Sequence, residues 1–265
     1  MIIGAVAGDI IGSIYEFHNV KSTQFDLFTP KTTFTDHSVL TVATMEVLLK
    51  KGDYTETYKR YGKNYKNRGY GNRFHYWIYE EKSEPYNSYG NGSAMRVSPI
   101  GWYGANLSEV LAEAKRSAEV SHNHVEGIKG AQAAAAAVYL ARNGESKTAI
   151  KNYISETFHY NLEQTTDEIR IDYSFDESCQ GTVPQAITAF LESGSFENAV
   201  RLAISIGGDS DTIACITAAI AEAYYLEIPD FIRENVVKIL PPEFTEVIEA
   251  FSEKYGMNLL SIKPA

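Results

Sequence analysis

The stretch that decides the fold is Gly207–Tyr225, GGDSDTIACITAAIAEAYY. From Ile213 onward it is apolar on nearly every face, which predicts a helix buried inside a helical protein rather than an amphipathic surface helix. Its beginning is of the opposite kind: Asp209, Ser210, Asp211 and Thr212 set oxygen-bearing side chains in a row behind Gly207 and Gly208. Ordinary N-capping needs only one such oxygen, and a cap plus a solvated turn is one reading of the segment. The other is a set of hard ligands for a divalent cation, carried inward by the burial of the helix that follows.

A second segment of the same kind lies upstream. Phe34-Thr35-Asp36-His37-Ser38 precedes the apolar run Val39–Leu49 and also gathers hydroxyls, a carboxylate and a ring nitrogen at a helix start. A third contribution comes from residues 2–17, read as the first helix, where Asp9 and Glu16 are seven apart. On a 3.6-residue period they fall within about 20° of each other and project together. Gly4, Gly8 and Gly12 form a small-residue stripe beside them, which serves either plain helix packing or the close approach of another backbone to the acids. Glu16, Asp36, His37, Asp209 and Asp211 thus come from three separated segments. Carboxylates grouped at low dielectric repel one another unless cations share the space.

Composition narrows the functional classes. The chain has 265 residues, of which 44% are hydrophobic and 22% charged, as expected of a globular protein. Its formal charge of -10 argues against nucleic acid as a partner, because such binding depends on Lys and Arg neutralising phosphates. Residues 54–76 interleave tyrosines with lysines and arginines and superficially resemble a single-strand-binding patch. Tyr54, Tyr58, Tyr61 and Tyr65, however, have helical spacing and read as the apolar face of an amphipathic helix. No apolar run is long enough to span a membrane, and no basic-led signal segment is seen, so a cytoplasmic protein is the expectation. Cys179 and Cys215 are the only cysteines. Neither has a metal-type neighbour, and both read as reduced structural thiols.

Helical periodicity runs from end to end. After the first helix it places others at 38–50, 54–65, 107–120, 127–143, 146–157, 184–193, 196–206, 211–226, 229–239 and 242–254. Residues 67–93 read as a long irregular loop, and 170–175 as the best strand candidate. With no repeat or linker visible, the expectation is one all-α domain over 1–265, a compact helical bundle. Within 88–96, SYGNGSAMR, small residues exposing N–H groups, an aromatic ring and an arginine suit either a plain turn or a diphosphate with its base. In Ser121-His122-Asn123-His124 the two histidines point in different directions, which disfavours zinc and leaves one of them as a phosphate or ribose donor.

Taken in order, GAVAGDIIGSIYEF (4–17), FTDHSVLT (34–41), NSYGNGSAMRVSPIGW (87–102), SHNHVEGIKGA (121–131) and ISIGGDSDTIACI (204–216) resemble the signatures of the ADP-ribosylglycohydrolase family. That family includes the glycohydrolase that reactivates dinitrogenase reductase and the ADP-ribosylarginine and ADP-ribosylserine hydrolases. The resemblance implies an all-α fold with two divalent cations, Mg²⁺ or Mn²⁺, in a central cleft. By it, Thr35, Asp36 and His37 stand at the place of one ion, Asp211 bridges, and Asp209, Thr212 and Glu16 hold the other. Gly71, Ser88, Tyr89, Gly90, Asn91, Gly92 and His122 resemble ADP-ribose contacts, and Glu16, Asp36 and Asp211 resemble the catalytic carboxylates. The implied reaction is hydrolysis of the bond joining ADP-ribose to an acceptor, with ADP-ribosylated arginine on a protein, or a small-molecule conjugate, as substrate.

One position departs from that pattern. The family shows two successive aspartates after the threonine, whereas this chain has Asp36-His37 followed by Ser38. Imidazole is a poor partner for Mg²⁺, which prefers oxygen. The alternative expectation is therefore a weakened or non-catalytic ADP-ribose binder, a role to which the family also lends itself in lens crystallins.

Overall fold

Residues 1–256 are described in the computed structural model, and among them every regular element is a helix. The chain opens with α1 (Gly4–Gly12), α2 (Asp36–Lys50), α3 (Tyr54–Asn64) and α4 (Asn72–Tyr79). Two short helices, α5 (Gly92–Met95) and α6 (Ser98–Tyr103), lead into α7 (Leu107–Glu119), α8 (Val125–Arg142), α9 (Lys147–Phe158) and α10 (Thr166–Asp172). The remainder comprises α11 (Cys179–Glu192), α12 (Phe196–Ile206), α13 (Ser210–Tyr225), α14 (Asp230–Ile239) and α15 (Pro242–Tyr255). Residues 257–265, included in the expected domain, lie outside the described residues.

Helix α13 is the axis of the bundle, buried at every position from Ser210 to Ala223. It packs against α1, α8, α11 and α12, which together wall it off from water. Small side chains make this possible. A Cβ added at Gly8 of α1 would lie 2.2 Å from the Ala214 carbonyl oxygen, so the two helices meet backbone to backbone along the Gly4-Gly8-Gly12 stripe. The alanine run of α8 is likewise buried, at Ala131 and Ala133–Ala137. Several helix starts carry the side-chain caps their sequences announce: Asn106, Ser146, Thr165, Ser178 and Ser195 each accept a bond from a backbone N–H in the first turn. In α3, Tyr54, Tyr58 and Tyr61 face the core, which disposes of the single-strand-binding reading.

Four expectations need correction. Helix α1 stops at Gly12, so Glu16 lies in the turn beyond it and does not share a helix face with Asp9. The expected loop 67–93 contains α4, whose Phe74, Trp77 and Ile78 have the i, i+3, i+4 spacing of a buried face that the surrounding Gly and Asn residues mask. The strand candidate 170–175 is the end of α10 and an extended exit from it, because a capping box at Thr165 and Glu168 starts a helix there. Finally, α11 begins at Cys179 instead of 184: Ser178 caps it, and Pro184 sits inside the helix.

Candidate active site

Two turns deliver the acids. Gly207 and Gly208 have φ of 78° and 67°, left-handed values that favour glycine, and they bring the chain from α12 round to the buried start of α13. Asp209 and Asp211 are thereby placed inside the bundle, 5% and 1% exposed. The turn after α1 carries Glu16 to the same spot. Asn19 ties the two together: its Oδ1 accepts from Gly208 N–H at 2.8 Å and its Nδ2 donates to Gly208 O at 2.9 Å and to Glu16 O at 2.9 Å. Nothing in the sequence pattern singles out Asn19 for this role.

The acids fall into two adjoining groups that share Asp211. Ligand atoms of Glu16, Asp209 and Asp211 lie within 4.8 Å of one another, and so do those of Asp9, His37 and Asp211. Asp9, which sequence reasoning left without a role, is a buried hub. Its carboxylate accepts from Thr35 N–H at 3.0 Å, Thr35 Oγ1 at 2.5 Å, Ser38 N–H at 3.0 Å and the Ser38 hydroxyl. It thus fixes the start of α2 against α1. Burial, then the Asp209 carboxylate, pushes Glu16 up to about 7. Burial also raises Asp36, and it raises Asp211 well above the usual carboxylate range. For His37 burial disfavours the charged ring, but Asp211, Asp36 and Asp9 outweigh it and hold the imidazole well above its ordinary value.

These groups border a cleft of about 460 Å³, whose lining includes Glu16, Asp36, His37, Asp209 and Thr212. Asp211 is buried beneath them, and Thr35 adjoins His37 through a 2.7 Å contact to Nδ1. The same cleft is lined by Gly71, Ser88, Gly90, Asn91, Gly92 and His122. Of the expected ADP-ribose contacts only Tyr89 is absent from the lining; it is 53% exposed, and its ring packs edge-on against His124. Asn91 ties the 88–92 loop to the acids. Its Nδ2 donates to Asp209 Oδ2 at 2.6 Å and to Thr182 Oγ1 at 2.9 Å, while its N–H donates to Glu177 O at 2.7 Å. Phe17 and Phe175, both exposed, stack at the rim with ring centroids 6.2 Å apart.

Arg96, which also borders the cleft, is fully buried, its guanidinium 4.3 Å from the Tyr58 ring centroid. Its Nη2 donates to Ser121 Oγ at 3.0 Å, and Ser121 Oγ is 2.8 Å from His122 Nδ1. Nδ1 is the one acceptor that the Ser121 hydroxyl meets, so the serine donates to it, which leaves the hydrogen of His122 on Nε2. That nitrogen faces the loop of Gly90 and Gly92. Burial, then the Arg96 charge, holds His122 well below its ordinary value, so the ring is a neutral hydrogen-bond donor.

Against known proteins, residues 1–260 match the ADP-ribosylglycohydrolase family. The chain belongs to that family. It is 26% identical to chicken (Gallus gallus) ADP-ribosylhydrolase ARH3, over 97% of this chain and 90% of that protein. It is 28% identical to the human ARH3 protein, over 84% of each. It is also 26% identical to the ADP-ribosylarginine hydrolase Tri1 of Pseudomonas putida strain GB-1, over 60% of this chain and 42% of that one. A solved structure described as an ADP-ribosylglycohydrolase-related protein complex superposes with a TM-score of 0.72, covering 97% of this chain and 96% of that one at 21% identity, and so shows the shared fold. ADP-ribosylglycohydrolases are metal-dependent glycosidic-bond hydrolases, and the residues present fit such a group unevenly. Around Glu16, Asp209 and Asp211 the donors are hard oxygens, and Asp211 Oδ2 is buried with no hydrogen-bond partner, as suits a cation ligand. Around Thr35 and Asp36 the fit is poor, because the His37 ring stands among them. No helix among the described residues is long and apolar enough to cross a membrane.

Proposed function

We propose that this protein is a metal-dependent hydrolase that cleaves the N- or O-glycosidic bond between ADP-ribose and an acceptor, reversing ADP-ribosylation, with arginine side chains of proteins as the acceptor. The observation that carries this reading is one cleft lined both by an oxygen-ligand group and by residues of the 88–92 loop with His122. Glu16, Asp209, Asp211 and Thr212 would hold a divalent cation, Mg²⁺ or Mn²⁺. When bound, it would supply positive charge to orient the hydroxyls of the distal ribose.

The chain's own groups do the rest. His122 Nε2–H and the backbone of the Ser88–Gly92 loop bind the diphosphate and proximal ribose, which leaves the anomeric carbon of the distal ribose near the acids. Glu16, at the half-buried edge of its group, accepts a proton from water entering the cleft, with Asp36 nearby. The water oxygen bonds to the anomeric carbon, the bond to the acceptor breaks, and the acceptor leaves with the proton that Glu16 took from the water. Arginine is favoured by the rim: a guanidinium stacks on aromatic faces such as Phe17 and Phe175 and pairs with carboxylates such as Glu177. The cysteines Cys179 and Cys215, buried and unbridged, suit a cytoplasmic site of action.

The test is release of free ADP-ribose from ADP-ribosylarginine and ADP-ribosylserine peptides with Mg²⁺, with Mn²⁺ and with chelator. Metal-dependent release, faster from arginine, is expected. Metal-dependent release from serine alone would overturn the acceptor assignment, and chelator-insensitive release would overturn the metal dependence. Because His37 stands in the metal motif, a second reading is a relative that binds ADP-ribose without turning over conjugates. Tight ADP-ribose binding with no release from either peptide would establish that reading instead.

A further inference from the structure

The His37 imidazole stands inside the ligand group that the sequence assigns to one of two cations. Its Nδ1 is 2.7 Å from Thr35 Oγ1, 3.2 Å from Asp36 Oδ1 and 4.0 Å from Asp211 Oδ2, three of the side chains expected around that ion. Its Nε2 is 2.5 Å from Thr212 Oγ1, a ligand expected on the other ion. The ring therefore spans from one ligand set to the other. It is 7% exposed.

Hydrogen positions follow from the neighbours. The Thr35 hydroxyl gives its hydrogen to Asp9 Oδ1 at 2.5 Å, so Thr35 Oγ1 accepts from His37 Nδ1–H. A nitrogen that carries hydrogen cannot ligate a metal. An ion bonded to Thr35, Asp36 and Asp211 at roughly 2.0–2.6 Å would have to occupy the space this N–H fills. The buried carboxylates also differ in how their hydrogen-bonding capacity is used. Both oxygens of Asp9 are engaged by Thr35 and Ser38, whereas the buried Oδ2 of Asp211, the carboxylate common to both groups, has no hydrogen-bond partner. Asp9 therefore has no capacity left for a cation, and Asp211 does.

We propose that this chain binds a single divalent cation, at Glu16, Asp209, Asp211 and Thr212, and that the His37 side chain occupies the place of the second. This rests on the metal-dependent reading above and narrows it from two ions to one. Lone pairs of Thr35 and Asp36 that would otherwise face a cation are turned to an imidazole held by two hydroxyls, and Asp211 becomes a ligand of one ion instead of a bridge.

The experiment uses the full chain, stripped of metal and titrated with Mn²⁺. Elemental analysis after desalting gives the stoichiometry, and electron paramagnetic resonance distinguishes an isolated Mn²⁺ from a spin-coupled pair about 4 Å apart. One ion per chain with the isolated-ion spectrum is expected for the parent. His37→Asp, which restores a carboxylate, should bind a second ion and give the coupled spectrum. His37→Asn, which removes the ring while keeping an oxygen donor, serves as the second variant should His37→Asp not fold. Two ions or a coupled spectrum in the parent would overturn the single-ion proposal and leave the proposed function intact. No ion in the parent at saturating Mn²⁺ would overturn the metal-dependent function and this inference together. A second ion absent from both variants would show that the ring is not what excludes it.

Discussion

Gly12 is the last residue of α1, and a Cβ added there would lie 2.5 Å from Asp211 Cα and 2.9 Å from Asp211 Cβ. Carbon atoms in contact sit at about 3.5–4.0 Å, so Gly12→Ala must drive the end of α1 and the start of α13 apart by roughly 1 Å. Overpacking of this kind costs about 1–3 kcal/mol, and the better helix propensity of alanine returns at most about 1 kcal/mol. The net loss of about 1–2 kcal/mol corresponds to a fall in Tm of roughly 2–8 °C for a domain of this size. The larger consequence falls on the site. Ligands must be held within about 0.5 Å of their working geometry, so displacing Asp211 by twice that should weaken divalent-cation binding at least about tenfold. Circular dichroism melts in chelator isolate the first effect, and calorimetric titration with Mn²⁺ measures the second. Gly8→Ala is the comparison: its clash is with the Ala214 carbonyl, one turn away from Asp211, so it should cost more stability and less metal affinity for each degree lost. A Gly12→Ala chain that melts lower yet binds Mn²⁺ as the parent does would refute the placement of Asp211 as a ligand, and an unchanged Tm would refute the close helix contact itself.

Three further outcomes are expected. Burial, set against the Ile3 and Gly4 N–H groups it accepts from, raises Glu222 to about 7, above its unfolded value; the folded chain then holds this proton more tightly than the unfolded one. Its contribution is therefore present at about pH 4.5 and is lost as pH rises towards about 7, by up to about 3 kcal/mol, and Glu222→Gln should flatten that part of the stability profile in chemical-denaturation measurements. Asn19→Ala removes the two bonds to Gly208 that hold the Glu16 turn against the Asp209 turn, and should weaken Mn²⁺ binding about tenfold with little change in Tm; equal affinity would show that the turn is held by other contacts. Ser121→Ala should remove the donor that fixes the His122 tautomer, so that nitrogen NMR of the labelled ring shifts from a single Nε2–H form to a mixture, and ADP-ribose binding weakens several-fold; an unaltered spectrum would show that the tautomer is set elsewhere.

What the sequence by itself determined was set by local rules. The helical period and the side-chain caps are properties of neighbours along the chain, so most helices were legible, as was the burial implied by the apolar run Ile213–Tyr225. The chemistry-bearing residues were legible for the same reason, since carboxylates and hydroxyls at two helix starts announce themselves without knowledge of the fold. Tertiary structure decided how they are grouped. Whether Glu16 lies on a helix or beyond it depends on where α1 meets Asp211 across Gly12, and helical periodicity alone cannot see that contact. Asp9 looked like the companion of Glu16, but packing turned it to Thr35 and Ser38, 26 and 29 residues away in sequence. Asn19 and Thr182 matter only because distant backbone or side-chain groups end beside them, and Ser121 links its neighbour His122 to Arg96, 25 residues away. His37 combines both kinds of information: its presence in place of an aspartate is written in the sequence, but the ring's reach from Thr35 to Thr212, 175 residues beyond His37, exists only once α2 and α13 start against the same buried acids.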